Sequence, residues 1–229
     1  ADLFLLAGDL TRHGAPDEAA VLAGELADVR VPVIAILGNH DHHADAPDAV
    51  VAELEGVGVH VLDGTATVID VDGVSVGVAG TKGFGGGFPG ASGSEFGEPE
   101  MKAFMQHSRT VACGLQEALA VLGTDVRIAL THYSPVEETL RGERLEIYPF
   151  LGCWLLAEAI DVAGADVAFH GHAHRGAERG VTPGGVRVRN VAQPVLGHPY
   201  RVYGVEPRPG GWASTRASEL EQEPIATGV

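Results

Sequence analysis

The feature that most constrains this chain is a series of short apolar runs, each of which stops abruptly at a polar cluster. Leu3–Ala7 runs into Gly8-Asp9, Val33–Leu37 into Gly38-Asn39-His40-Asp41, Val126–Leu130 into Thr131-His132, and Val167–Phe169 into Gly171-His172-Ala173-His174. Such β-rich runs read as buried strands. A parallel sheet would bring their tips together at its carboxyl edge, where open α/β sheets hold their sites. The tips supply Asp, Asn and His, which suit divalent cations. They supply no basic phosphate cradle and no nucleophilic Ser or Cys.

Helical signals separate the first runs. Pro16-Asp17-Glu18 opens a helix through Asp28, with acidic residues in its first turn, and a second helix spans Pro47 to Glu55. Three β-prone runs follow, Val57–Leu62, Ala66–Val71 and Val74–Ala79, the last two joined by the hairpin signal Asp72-Gly73. Seven glycines between Lys82 and Gly97 mark an irregular loop. Helices are expected from Glu98 to Leu122 and from Phe150 to Ala163, and strands near Val167–His170, Val186–Val191 and Arg201–Glu206. This order predicts an α/β protein with a two-layered sheet core and helices outside. Residues 1–206 form one domain, and 207–229, rich in Pro, Gly, Ser and Glu, form a flexible tail.

A length of 229 residues is enough to bury a sizeable core, and no run approaches the ~18 apolar residues of a membrane span. With 15 basic against 31 acidic residues, the net charge of -16 argues against a nucleic-acid partner, whose phosphates are met by Lys and Arg. The two cysteines, Cys113 and Cys153, fall in expected helices and read as buried thiols of a reducing cytoplasm.

Taken singly, the clusters are ambiguous. Asp9 alone reads as a turn or cap carboxylate, and a lone strand-end His132 as structural. Gly38-Asn39-His40-Asp41 is sharper, and two histidines at i and i+2 on a glycine-opened loop point to metal. Together and in this order, the set resembles the calcineurin-like metallophosphoesterase superfamily over residues 8 to 174. The resemblance implies a metallophosphoesterase-like β-sandwich of two mixed sheets flanked by helices, with a dinuclear metal site at the strand ends.

Carried over residue by residue, the resemblance makes Asp9 the carboxylate bridging two divalent ions. Asn39, His132 and His172 complete the second metal, and His174 binds the first. His40 is the acid beside the leaving group. The implied reaction is attack of a metal-bridging hydroxide on phosphorus. Manganese is the first expectation for the ions, with iron and zinc also compatible. The family's Asp-x-His motif is missing upstream of Gly8, so the first strand is expected to lie outside the given sequence. Asp41 reads preferentially as a cap for the next helix.

The continuation Gly8-Asp9-Leu10-Thr11-Arg12-His13-Gly14 lacks the Asp-Arg-Gly of phosphoprotein phosphatases, so the resemblance favours a small-molecule phosphate ester as substrate, with diesters over monoesters. The alternative is a non-catalytic interaction module keeping the fold. The loop Gly83–Phe88 lacks the Gly-Lys-Ser/Thr ending of a phosphate loop, and is read as a flexible loop whose Phe84 or Phe88 reaches the substrate.

Overall fold

The computed structural model describes residues 1–212. Its elements are β1 (Phe4–Ala7), α1 (Pro16–Leu26), β2 (Val33–Ile36), α2 (Pro47–Glu55), β3 (His60–Val61), β4 (Thr65–Val71), β5 (Val74–Thr81), β6 (Gly87–Phe88), β7 (Ala91–Ser92), α3 (Pro99–Ala120), β8 (Val126–Thr131), α4 (Tyr148–Leu151), α5 (Trp154–Ala163), β9 (Val167–His170), β10 (Arg179–Val181), β11 (Arg187–Asn190) and α6 (Gln193–Leu196). The helices α1, α2 and α3 each start at a proline, whose fixed φ suits the first turn and whose missing N–H would have had no partner there.

Two sheets face each other. The smaller has the order β1-β2-β3 and is parallel throughout, and the larger, mixed sheet has the order β10-β11-β9-β8-β5-β4. Successive side chains of a strand point to opposite faces, and this divides the apolar runs between two cores. In β2, Ile34 and Ile36 join Val126, Ile128, Leu130, Val167 and Phe169 between the sheets. Val33 and Ala35 face α1 and α2, where they meet Ala19, Ala23, Val50 and Leu54. On the far side, α3 and α5 cover the larger sheet through Leu115, Leu119, Leu156 and Ile160. The result is four layers, helices outside two sheets, and it explains why β2 is apolar without alternation and why β8 is buried along its whole length.

Register places the polar tips. Phe4 pairs with Val33 and Ala7 with Ile36, so Gly8-Asp9 and Gly38-Asn39 leave the smaller sheet side by side. In the larger sheet Thr81 pairs with Thr131, and Thr131 with His170, so Lys82, His132 and Gly171 leave neighbouring strands at one level.

Some elements differ from expectation. Arg201–Glu206 is not a strand: its backbone pairs with no strand, although Tyr203 and Val205 pack on the inter-sheet core. This segment and β1 both line a largely apolar cavity of about 760 Å³ and share no ladder. The expected helix Phe150–Ala163 is two helices, because the chain between them bridges to Ser134; a Cβ at Gly152 would stand 2.2 Å from the Ser134 carbonyl. The short strand β10 was not foreseen. Arg208 and Trp212 at the start of the expected tail hydrogen-bond to Asp125, Thr124 and Asp166, and the Trp212 ring lies under the guanidinium groups of Arg208 and Arg127. The rest of that tail lies outside the described residues. Both cysteines are free thiols, and no helix among the described residues is long and apolar enough to cross a membrane.

Candidate metal centre

The strand-end residues converge where the two sheets' carboxyl edges face each other. One ligand atom from each of Asp9, His132 and His172 lies within 4.8 Å of the other two. His132 Nε2 stands 3.2 Å from Asp9 Oδ1 and 3.0 Å from Asn39 Oδ1. The loops close this tightly only because they carry glycine. A Cβ on Gly38 would lie 2.2 Å from both the amide nitrogen and Oδ1 of Asp9. Asp9 and His172 themselves hold left-handed backbone, with φ of 53° and 66°. For residues with a side chain this conformation is strained, and such strain clusters at functional sites.

Hydrogen bonds orient the rings. His132 Nδ1 donates to the carbonyl of Ala7 at 2.7 Å, which turns Nε2 toward two oxygens. In the neutral ring, Nε2 and those oxygens are three acceptors facing one another, an arrangement that a cation relieves. His172 Nε2 donates to the Phe150 carbonyl at 3.2 Å, leaving Nδ1 as its lone-pair nitrogen. Burial pushes the His172 imidazole down to about 4, helped by the neighbouring His132, so the ring is neutral at pH 7. Burial opposes ionisation of Asp9, but His132 carrying a second proton on Nε2 would donate to it and face it with a positive charge, and with the His40 amide this outweighs burial and holds the carboxyl at about 2.

The remaining expected residues sit around this cluster. His40 donates its amide to Asp9 Oδ1 at 3.0 Å, and its Nδ1 pairs with the Arg12 carbonyl at 2.8 Å. His174 is exposed and lines the apolar cavity together with Asp9, His40, His132 and His172, outside the close group of ligand atoms.

Comparison with known proteins decides the family. The profile for calcineurin-like phosphoesterases matches residues 1–176, more than three quarters of the chain. The chain belongs to that family. Two solved structures share the fold. Phosphopantetheinyl hydrolase (PptH) from Mycobacterium tuberculosis aligns with TM-score 0.62 and 16% identity, covering 83% of this chain and 78% of that one. TT1561 of Thermus thermophilus aligns with TM-score 0.52 and 18% identity, covering 86% and 79%. No curated protein matches.

As a calcineurin-like phosphoesterase, the protein is a hydrolase of phosphoric esters from a family with a divalent metal site. The donor set fits such an ion. With metal–ligand bonds of about 2.0–2.2 Å, neighbouring ligand atoms stand about 3 Å apart, and the oxygens of Asp9 and Asn39 stand 3.2 and 3.0 Å from His132 Nε2.

The phosphoesterase also uses Asp41 in a way its sequence did not disclose. Asp41 is wholly buried and caps no helix. It accepts from the amides of Thr11 (2.7 Å), Gly38 (2.7 Å) and Leu10 (3.1 Å) and from the Thr11 hydroxyl (2.7 Å). It thereby ties the loop after β1 to the loop after β2 and sets Asp9 beside Asn39. Besides the nearby Gly38, its partners are Leu10 and Thr11, 31 and 30 residues away, which no local pattern marks. Phe88 is buried with Leu140 and Tyr148, and of the two phenylalanines only Phe84 keeps exposed surface.

Proposed function

We propose that this phosphoesterase hydrolyses small-molecule phosphate esters, with diesters preferred, in the cytoplasm. The observation that carries the reading is the convergence of Asp9, His132 and His172 within 4.8 Å, with the Asn39 oxygen 3.0 Å from His132. Asp9, Asn39, His132 and His172 hold one divalent ion, and Asp9 with His174 contributes to a second, with Mn²⁺ the first choice and iron or zinc tolerated by the same donors. The bound ions would supply an activated water and neutralise phosphoryl oxygens.

The chain's own part is to hold these donors rigidly and to manage the leaving group. The Nδ1 of His40 is taken by the Arg12 carbonyl, so its Nε2 is the nitrogen that gives a proton to the departing oxygen. General acids of this kind contribute about 10²–10⁴-fold.

The test is hydrolysis of bis-p-nitrophenyl phosphate, p-nitrophenyl phosphate and an alkyl phosphodiester with Mn²⁺. Wild-type protein is expected to turn over the diesters faster than the monoester. In His40→Ala the kcat on the alkyl diester should fall by roughly 10²-fold or more, with a smaller loss on p-nitrophenyl esters, whose leaving group needs little protonation. Equal losses on both would remove His40 from the acid role. Absence of turnover on every ester would favour a non-catalytic interaction module.

A further inference from the structure

Beyond His132 the line of strand ends continues. The order β9-β8-β5 sets His172, His132 and Lys82 along one edge of the larger sheet, while Asp9 and Asn39 line the facing edge. The Lys82 carbonyl accepts the amides of both His132 (3.0 Å) and Tyr133 (3.1 Å), so its backbone is fastened to the metal-centre loop. Its ammonium lies 5.1 Å from the Phe84 ring centre and 5.6 Å from that of Tyr133. The Tyr133 ring in turn packs on His172 at 4.4 Å and His132 at 5.8 Å. The Lys82 backbone thus leaves the sheet one strand beyond His132, about 4.8 Å along it, and its ammonium, on an aromatic ledge, is linked to the His172 ring through Tyr133. Lys82 is not among the residues lining the apolar cavity that borders β1.

This ammonium is in an unusual position for a lysine. It is half-buried, and among the described residues no carboxylate lies within ion-pair distance. Burial lowers its pKa, and Asp63 only partly opposes this. Asp63 is exposed and accepts the Thr81 hydroxyl at 3.2 Å. The half-buried His42 is the other titratable group that feels Lys82. A cation partly drawn out of water without a close counter-ion can form strong charge-assisted hydrogen bonds to an anion from outside the chain.

We propose that Lys82, walled by Phe84 and Tyr133, binds a second anionic phosphoryl group next to the one held at the metal centre, so that the preferred substrates are diphosphate-linked esters. The inference rests on the reading of the centre as a phosphoester hydrolase. The contacts from the ammonium through Tyr133 to His172 bring the cation to the rim of the metal centre, where a second phosphoryl group joined to the first by a bridging oxygen would meet it.

The experiment is calorimetric titration of AMP and ADP into the protein with Mn²⁺ in excess at matched free-ion concentration. It is done for wild type, Lys82→Met, which keeps the stem and removes the charge, and Lys82→Arg. Wild type should bind ADP about 10–100-fold more tightly than AMP, the range of a hydrogen bond to a charged group. Lys82→Met should reduce that ratio to near one, and Lys82→Arg should restore most of it. A wild-type ratio near one, or a ratio preserved in Lys82→Met, overturns the inference while leaving the hydrolase reading intact. Failure of both nucleotides to bind, together with no turnover of any ester, overturns the hydrolase reading and this inference with it.

Discussion

Asp9 and His172 each spend conformational energy to be where they are, since left-handed backbone on a residue with a Cβ is held only when its surroundings fix it. For Asp9 the surroundings are Gly38 and Asp41. Gly38→Ala would drive a methyl group to 2.2 Å from the Asp9 carboxylate and 2.8 Å from the His132 ring. The variant should lose about 10–100-fold in Mn²⁺ affinity, the usual cost of disturbing a ligand's support, as read by metal titration. Unchanged affinity would mean that the Asp9 loop yields freely. At this scale the sequence was partly readable. Asp9, Asn39, His132 and His172 announced themselves as polar residues stopping apolar runs, a placement that wastes burial unless something repays it. Asp41 did not, because a carboxylate beside a turn looks the same whether it serves its own helix or a loop brought alongside by strand pairing.

The end of β9 is an element held by a buried polar network. His170 Nε2 meets the Thr139 hydroxyl at 2.8 Å and lies 3.4 Å from that of Ser134, and its Nδ1 meets the Gly171 carbonyl at 2.8 Å. Burial drives His170 down to about 3 from an ordinary 6.5, as it drives His172 to about 4. In the unfolded chain both rings take up protons near 6.5, so the folded state binds fewer protons below that pH. Their contribution to stability is therefore complete above about 6.5 and is lost as pH falls toward 4 and 3. For chelator-treated protein the urea midpoint should drop clearly between pH 7.5 and pH 5. A flat midpoint would mean that neither ring is desolvated. Among elements, strands buried on both faces and proline-started helices were legible from local pattern. Arg201–Glu206 was not, because a strand needs a neighbour at ladder distance and the chain here faces a cavity. β10, with sequence Arg-Gly-Val, carries no pattern and exists only because it pairs with β11.

Across the whole molecule, the site is assembled from the two sheets, and neither sheet holds it alone. Asp9 and Asn39 come from the smaller sheet, and His132 and His172 from the larger. Ion binding should therefore stabilise the fold as a unit. At a free concentration of 100 times Kd, one Mn²⁺ adds about 2.7 kcal/mol, measurable as a raised melting temperature that a chelator reverses. An unchanged melting temperature would mean that the ligand cluster does not bind the ion. Asp9 and His172 are 163 positions apart (172 minus 9), so an ion touching both closes a loop of most of the chain. The ion then behaves as a reversible staple between the first strand and the last loop of the site. Its removal should expose the β1–β3 layer to limited proteolysis before the six-stranded sheet, so that metal supply governs how long this protein survives as well as what it can cleave.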